Sequence, residues 1–152
     1  LIMCISNNFI GNTFNSNIRR KDTSLMEIGS SPSLMPELSL LENIKYFLFN
    51  DNINENMISN VLNKYELESF KSDLVRDFSS GMVKRSEIAI ADLKNPKVLC
   101  IDEPKVYLDE NGVDLLLNLI TKREKEGSTS ILSSQESIGA FRSIERSFNL
   151  ND

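Results

Sequence analysis

Two short groups of polar residues in this sequence have the composition of a phosphate-handling site. Residues 79–81, Ser-Ser-Gly, open a stretch of helical length, and Asp102 and Glu103 end the apolar run 98–101. Serine hydroxyls and free backbone N–H groups at a helix N-terminus suit a phosphate, and a glycine allows close approach. Adjacent carboxylates at a strand end suit the binding of Mg²⁺ and the polarisation of an attacking water.

Each group alone has an ordinary structural explanation. A serine before a helix is most often a simple N-cap, and an acidic pair can end a strand by chance. The two groups, however, occur in a set order, and the interval from Gly81 to Asp102 is 102 − 81 = 21 residues. That interval accommodates one helix and a following strand, so the combination favours the functional interpretation.

Local signals predict the elements that would position these groups. A helix is expected from the turn at residues 80–81 to about Lys94, because the residue before Pro96 disfavours the helical region. The continuous apolar run Val98–Ile101 predicts a strand buried on both faces of a parallel sheet. Open α/β sheets bind ligands at the carboxyl ends of their strands, which is where Asp102 and Glu103 would lie.

The remaining signals predict an α/β fold with an inserted helical part. Ser39 and Glu42 form a capping-box pattern that opens a helix through Phe49, and Asn54 can cap a second helix with Tyr65 on its apolar face. The other expected elements are strands at 1–5, 24–28, 128–133 and 146–150, a loop or hairpin at 6–22, irregular chain at 29–38, a polar connection at 67–77, and a helix at 112–125 ended by Gly127.

Composition excludes several classes of protein. The 17 Lys and Arg residues are scattered and the net charge is −5, so the chain lacks the electrostatic footprint of a nucleic-acid binder. Cys4 and Cys100 each lie in an apolar run, which argues against a disulfide framework, and the absence of histidine argues against a Cys/His metal site. The longest apolar run is far shorter than the roughly 20 residues of a membrane span. Any membrane association would therefore go through a partner.

Residues 27–135 resemble the nucleotide-binding domain of ABC transporters. Phe78–Met82 corresponds to the signature motif, the acidic pair at 102–103 to the end of Walker B, and residues 108–109, Leu-Asp, to the D-loop. The segment 35–44 is similar to the stretch after the Q-loop, which contacts the transmembrane partner in this family. Within the family, this segment and the Ser-Ser-Gly-Met signature look most like haem exporters (cytochrome c maturation) and ABC-2 polysaccharide or drug exporters.

The resemblance implies a partial domain of the α/β, P-loop NTPase-like class that uses ATP and Mg²⁺. Residues 1–38 would hold the end of the N-terminal strands and the Q-loop region, 39–95 a helical subdomain with the signature motif, and 96–152 the Walker B, D-loop and switch region. The implied metal-binding residue is Asp102. The implied catalytic residues are Glu103, as base, and Gln135, at the switch position; the implied nucleotide-binding residues are Ser30, Ser79, Ser80, Gly81, Met82 and Asp109.

The resemblance also implies an assembly. Two ATPase domains would form a homo- or heterodimer in which each signature motif closes on the ATP of the partner. The dimer would bind a transmembrane permease subunit at the cytoplasmic face of a bacterial or organellar membrane, and no nucleic acid. Asp109 would help communicate across the dimer.

Several residues depart from the family pattern. No Gly-x-x-x-x-Gly-Lys-Ser/Thr segment occurs among the 152 residues, so we expect the phosphate loop to lie upstream of Leu1, which looks like the start of a strand in mid-domain. Ser30 replaces the Q-loop glutamine. Gln135 replaces the switch histidine, and glutamine can hydrogen-bond a phosphate but offers no titratable group. The signature helix carries Ser86, Glu87, Ile90 and Asp92 where small apolar residues, an arginine and a leucine are more usual.

Three interpretations follow from these matches and departures. The first is part of a working exporter ATPase. The second is a degenerate ABC-like subunit with a nucleotide-sensing or structural use and little hydrolysis, which Ser30 and Gln135 favour. The third is a soluble ABC-type ATPase acting on ribosomes or DNA; such proteins carry a second ATPase domain or a long coiled-coil insertion, and neither is visible in this sequence.

Overall fold

A parallel three-stranded sheet organises the part of the protein that the structure, a computed structural model, describes, residues 24–134. The strands lie in the order β1-β2-β3, and Ile28 of β1 pairs with Ile101 of β2 while Asp102 of β2 pairs with Ser133 of β3. The carboxyl ends of all three strands therefore meet at one edge. The strands are β1 (Leu25–Ile28), β2 (Val98–Asp102) and β3 (Thr129–Ser133).

The described residues also form four α-helices, and a polar residue caps the N-terminus of each. Ser39 and Glu42 form the reciprocal bonds of a capping box, and the other helices are capped by Asn54, Ser79 and Asp109. None of the helices in the described residues is long and apolar enough to span a bilayer. The helices are α1 (Leu40–Phe47), α2 (Glu55–Lys64), α3 (Ser80–Lys94) and α4 (Glu110–Lys125), with single 3₁₀ turns at Glu68–Phe70 and Val75–Asp77. Of these, α3 and α4 contact the sheet, while α1 and α2 pack on α3.

Most of the predicted elements within residues 24–134 are confirmed, with differences at their ends. α4 begins two residues earlier than predicted, because the Asp109 side chain accepts a hydrogen bond from the Gly112 N–H and so caps the helix. The connection at 67–77 is less polar than predicted, since Leu67 and Val75 are buried. On β2, Leu99 and Ile101 are buried but the alternate residues are only half-buried, so burial on both faces is wrong for this strand. The elements expected at 1–5, 6–22 and 146–150 lie outside the described residues.

The Arg123 side chain of α4 forms hydrogen bonds to both the turn before β2 and the beginning of β3. The side chain is fully buried, and burial lowers the pKa of its guanidinium group. One guanidinium nitrogen donates to the carbonyl oxygens of Pro96 (2.8 Å) and Thr129 (3.0 Å), and a second donates to the Asn95 side chain. Asn95 adopts the left-handed conformation that ends α3. Arg123 thus supplies a donor to the carbonyl of the buried Pro96 and joins α4 to the chain at the starts of β2 and β3.

α3 lies in the interior of the protein and buries polar as well as apolar side chains. Ile88, Ala89, Ile90 and Ala91 contribute to the apolar core, but several polar residues of the same helix are also buried. Burial of a polar group is costly unless it is hydrogen-bonded. Each buried polar side chain of α3 has such a partner: Lys84 donates to the Gly29 carbonyl, Ser86 to the Met82 carbonyl, Glu87 accepts from Ser33, and Asp92 accepts from Lys64, Lys122 and Tyr65.

Asp92 joins three helices at one point. Its carboxylate accepts from Lys64 of α2 (2.7 Å), from Lys122 of α4 (2.9 Å) and from the hydroxyl of Tyr65 (3.2 Å). Burial acts to raise the pKa of Asp92, but the hydrogen bonds and charges of the two lysines outweigh burial and lower it below its ordinary value. Burial, followed by the charge of Asp92, raises the pKa of Tyr65 far above its ordinary value. The carboxylate is therefore ionised and stabilises the packing of α2 and α4 on α3.

Neutralising Asp92 should destabilise the chain. We expect Asp92→Asn to lower the free energy of unfolding by about 2 kcal/mol, because a buried charged acceptor of three hydrogen bonds is replaced by a neutral amide. Asp51→Asn is the matched control, since Asp51 faces Lys94 near the surface at 3.3 Å and should cost about 0.5 kcal/mol or less. Urea unfolding followed by circular dichroism measures both. Equal losses in the two variants would contradict the role of Asp92.

The same carboxylate should make stability depend on pH in acid. Its folded pKa lies below the unfolded value of about 3.9, so its contribution is complete above about pH 5 and is lost as the pH falls through the folded pKa. We expect the difference in unfolding free energy between the wild type and Asp92→Asn to be constant from neutral pH to about pH 5 and to shrink below about pH 4. A difference that grows in acid would show that Asp92 is not ionised in the folded state.

Candidate functional site

Asp102 and Glu103, here called the acidic pair, lie at the carboxyl edge of the sheet as predicted for the end of a buried strand. The Ser133 hydroxyl donates to Asp102 Oδ1 (2.7 Å), and the Ser134 hydroxyl donates to Glu103 Oε2 (3.1 Å). Both carboxylates are only half-buried. Two serines at the end of β3 therefore orient two carboxylates at the end of β2 while leaving them accessible.

The backbone of Glu103 turns sharply away from the strand. Its φ is +48°, in the left-handed region that few residues other than glycine adopt without strain. The Glu103 N–H donates to the Ser133 carbonyl (2.9 Å), which continues the β2–β3 pairing by one residue and holds the turn. The two side chains of the acidic pair accept from different hydroxyls, Asp102 from Ser133 and Glu103 from Ser134.

The donor set at this edge suits a hard divalent cation bound with water and phosphate. No group of three or more His, Cys, Asp or Glu residues lies together within residues 24–134, so a cage made only of protein ligands is not present in that part of the chain. Mg²⁺ typically keeps several waters and binds through one or two carboxylates plus substrate phosphates. The Asp102 carboxylate, oriented by the Ser133 hydroxyl, fits that mode of binding.

Residues 78–82, here called the signature turn, form the N-terminus of α3. The Ser79 hydroxyl oxygen accepts from the Met82 N–H (3.2 Å) and caps the helix. A Cβ on Gly81 would lie 3.1 Å from the Tyr107 carbonyl oxygen, so glycine permits the close approach of the segment that follows the acidic pair. Fifteen residues of helix place the positive end of their dipole at this turn, which favours a negatively charged group nearby.

An open cavity of about 360 Å³ lies against the signature turn. Arg85, one turn along α3, contributes its guanidinium group, and Tyr107 is half exposed at the margin with a left-handed backbone of φ +68°. Sequence reasoning missed both residues. The remaining lining residues are Glu66, Leu67, Phe70, Ser79, Gly81, Met82 and Asp109.

Asp109 is held on both sides in this cavity. Arg85 Nη2 donates to both of its carboxylate oxygens (2.8 Å each), and the Gly112 N–H donates to Oδ1 (2.8 Å). The hydrogen bond from Arg85, followed by that from Gly112, lowers the pKa of Asp109. Arg85 also pairs with Glu66, so the cation is shared by two carboxylates. Asp109 is thus a fixed anion that ties the start of α4 to the signature helix.

The structure assembles the predicted site residues into two groups. Ser30 lies two residues beyond the end of β1, at the same sheet edge as the acidic pair. Ser79, Ser80, Gly81, Met82 and Asp109 form the second group, and residues 103–109 connect the two. Gln135 lies outside the described residues. Ser133 and Ser134 were not predicted as partners of the carboxylates, although two adjacent serines at the end of the predicted strand 128–133 were a usable signal.

Comparisons with known proteins agree with this arrangement. A sequence profile described as ABC transporter matches residues 7–106. The lantibiotic transport ATP-binding protein SrtF of Streptococcus pyogenes is 34% identical over 126 residues, which cover 83% of this chain and 54% of that protein. The cytochrome c biogenesis ATP-binding export protein CcmA of Histophilus somni is 28% identical over 126 residues, 82% of this chain and 58% of that protein.

The fold agrees as well. A solved structure of an ATP binding subunit of an ABC transporter matches with a TM-score of 0.66 at 24% sequence identity, over 74% of this chain and 49% of that one. The chain spans about half the length of the relatives that it matches. Since the profile match alone extends over well more than half of the sequence, and since the fold and the order of the motifs agree with it, this chain belongs to the ABC transporter family of ATP-binding proteins.

Proposed function

We propose that this chain is part of the ATP-binding and ATP-hydrolysing subunit of an ABC exporter, which acts through a separate transmembrane permease. The observation that carries the proposal is the acidic pair at the sheet edge, oriented by hydroxyls from the neighbouring strand. Ser30 and Gln135 favour the alternative of a degenerate subunit, and the unusual residues of α3 are further departures from the family pattern. Those residues have partners and do not disturb the fold, and nothing in the comparisons favours that alternative.

In this proposal the two carboxylates have different tasks. Asp102, oriented by Ser133, would hold Mg²⁺, and the bound cation would neutralise charge that develops on the phosphates. Glu103, turned off the strand by its left-handed backbone, accepts a proton from the attacking water. The Ser134 hydroxyl, which donates to Glu103 Oε2, keeps the carboxylate oriented. Ser30 and Gln135 would contact the γ-phosphate region.

The signature turn serves a second ATPase domain. Ser79, Gly81 and Met82 at its helix N-terminus line an open cavity, where they can meet the phosphates of an ATP bound by the partner in a homo- or heterodimer. Asp109 lies beside that turn and carries the coupling between the two domains. In this scheme residues 1–38 belong to the nucleotide-binding core with the Q-loop region, 39–95 form the helical subdomain, and 96–152 complete the core.

The relatives suggest what the subunit works with. SrtF is named for lantibiotic transport and CcmA for export in cytochrome c biogenesis, so we place this chain with ATPases of exporters. The permease would bind near residues 35–44, and the subunit would lie on the cytoplasmic face of a bacterial or organellar membrane. The permease chooses the transported substrate, so haem, polysaccharide and drug export are all compatible with this site.

Removing the proton acceptor should stop hydrolysis without preventing ATP binding. In the full-length gene product we expect Glu103→Gln to lower turnover by about 10²-fold or more, because the amide keeps the shape but cannot take a proton. Asp102→Asn should instead raise the Mg²⁺ concentration needed for half-maximal activity. Glu55→Gln, at an exposed position on α2, is the matched control. Phosphate release measures turnover and calorimetry measures ATP binding; unchanged hydrolysis in Glu103→Gln would refute the proposal.

Introducing a histidine at position 135 tests whether the rest of the site can still hydrolyse ATP. A glutamine can hold the γ-phosphate, whereas a histidine can also orient the attacking water through a titratable group. We expect Gln135→His to raise ATP turnover of the full-length product by about tenfold, or about 1.4 kcal/mol of barrier. If turnover stays at background while ATP still binds, the site is a nucleotide sensor or a relic and the degenerate alternative is correct.

A further inference from the structure

Two ionisable side chains on α3 are directed at the same short loop. Lys84 and Glu87 are one helical turn apart, and only 5% and 2% of their surfaces are exposed. Lys84 Nζ donates to the carbonyl oxygen of Gly29 (2.7 Å). Glu87 Oε1 accepts from both the N–H (2.7 Å) and the hydroxyl (2.9 Å) of Ser33. The loop 29–33, here called the Ser30 loop, is therefore bonded to α3 near both of its ends.

These buried charges are poorly explained by stability alone. Apolar residues of similar size would fill the same volume without the cost of removing two charges from water. Burial lowers the pKa of Lys84, although the charges of Glu87 and Asp102 oppose that shift. Apolar side chains could pack against the loop in several positions. Hydrogen bonds to its polar groups form only when donor and acceptor are aligned. What the pair adds is thus a defined position for the Ser30 loop on α3.

That position relates the two halves of the site. The Ser30 loop leaves β1 at the sheet edge where Asp102 ends β2, with Ile28 and Ile101 paired just before. The helix that carries Lys84 and Glu87 begins at the signature turn, within two turns of both residues. A bond between α3 and the loop therefore fixes the distance from Ser30 to the signature turn through one rigid helix.

We propose that Lys84 and Glu87 are positioning residues, which hold the Ser30 loop to the signature helix so that both phosphate-facing parts move as one body. This inference rests on the proposed ATP hydrolysis for its consequence, but the contact itself can be tested separately. It predicts that ATP turnover depends on the hydrogen bonds between α3 and the Ser30 loop. The charges of Lys84 and Glu87 are not themselves required.

Amide hydrogen exchange in the full-length gene product tests the contact. Glu87→Leu removes the acceptor for the Ser33 N–H, and we expect exchange at that amide to accelerate by about tenfold or more, the equivalent of a hydrogen bond to a charged acceptor. Glu87→Gln keeps an acceptor oxygen and should retain most of the protection. Lys125→Met, which removes an exposed lysine from α4, is the control and should leave this amide unchanged. Equal exchange in Glu87→Leu and Glu87→Gln would overturn the contact.

Turnover in the full-length gene product tests the consequence. We expect Glu87→Leu and Lys84→Met to lower kcat for ATP by about tenfold with KM changed less than about twofold, since the parts are misplaced but still bind. Lys84→Gln and the double neutral variant Lys84→Gln/Glu87→Gln keep donor and acceptor and should recover most of the loss. Should Glu87→Leu fail to fold, Lys84→Met and Lys84→Gln make the same comparison at the other end of the loop.

The outcomes separate the two proposals. A wild-type protein that hydrolyses no ATP refutes the proposed function and, with it, the effect of Lys84 and Glu87 on turnover, while the exchange result still decides the contact. A wild type that hydrolyses ATP, with equal kcat in the apolar and amide variants, refutes the positioning role alone. Slow turnover in the apolar variants and recovery in the amide variants supports it.

Discussion

The requirement that buried polar groups be hydrogen-bonded shapes this protein more than any single contact. α3 runs through the interior with Lys84, Glu87 and Asp92 nearly inaccessible to solvent, and each needs a partner from another element. Asp92 obtains its partners from α2 and α4, whereas the other two obtain theirs from the loop after β1. Hydrogen bonds as well as apolar packing therefore position α3 against its neighbours. Because the signature turn is the N-terminus of α3, the same contacts fix its position.

The second constraint is the parallel sheet. Because β2 lies between β1 and β3 and all three run in the same direction, everything that follows the three strands gathers at one edge. A single register then aligns Asp102 with Ser133, and the backbone of Glu103 turns into the left-handed region directly after the strand. The arrangement of the acidic pair at this edge is in this way a result of strand order and of two serines on the neighbouring strand end.

Local signals sufficed to predict the elements but not the contacts between them. The capping box at Ser39, the helix end before Pro96 and the apolar run of β2 each depend on a few adjacent residues, and the structure confirms them. The pairing of Arg85 with Asp109 spans 24 residues and that of Lys122 with Asp92 spans 30, and no local pattern specifies such partners. For the same reason the sequence shows Glu87 and Asp92 only as departures from the family pattern, since their partners Ser33, Lys64 and Lys122 come from other elements.

The strand order also has a consequence for how the chain reaches its folded state. β1 pairs with a strand 98 − 25 = 73 residues further along, and three helices lie between the two. During synthesis, the edge of β1 that pairs with β2 has no partner until β2 has been synthesised. The helices α1, α2 and α3 can already form in that interval from local interactions. The loop-closure entropy of that long connection is offset only when the sheet pairs, so we expect association of β1 with β2 to limit the folding rate. The same interval is the period in which an unpaired strand edge is most exposed to association with other chains.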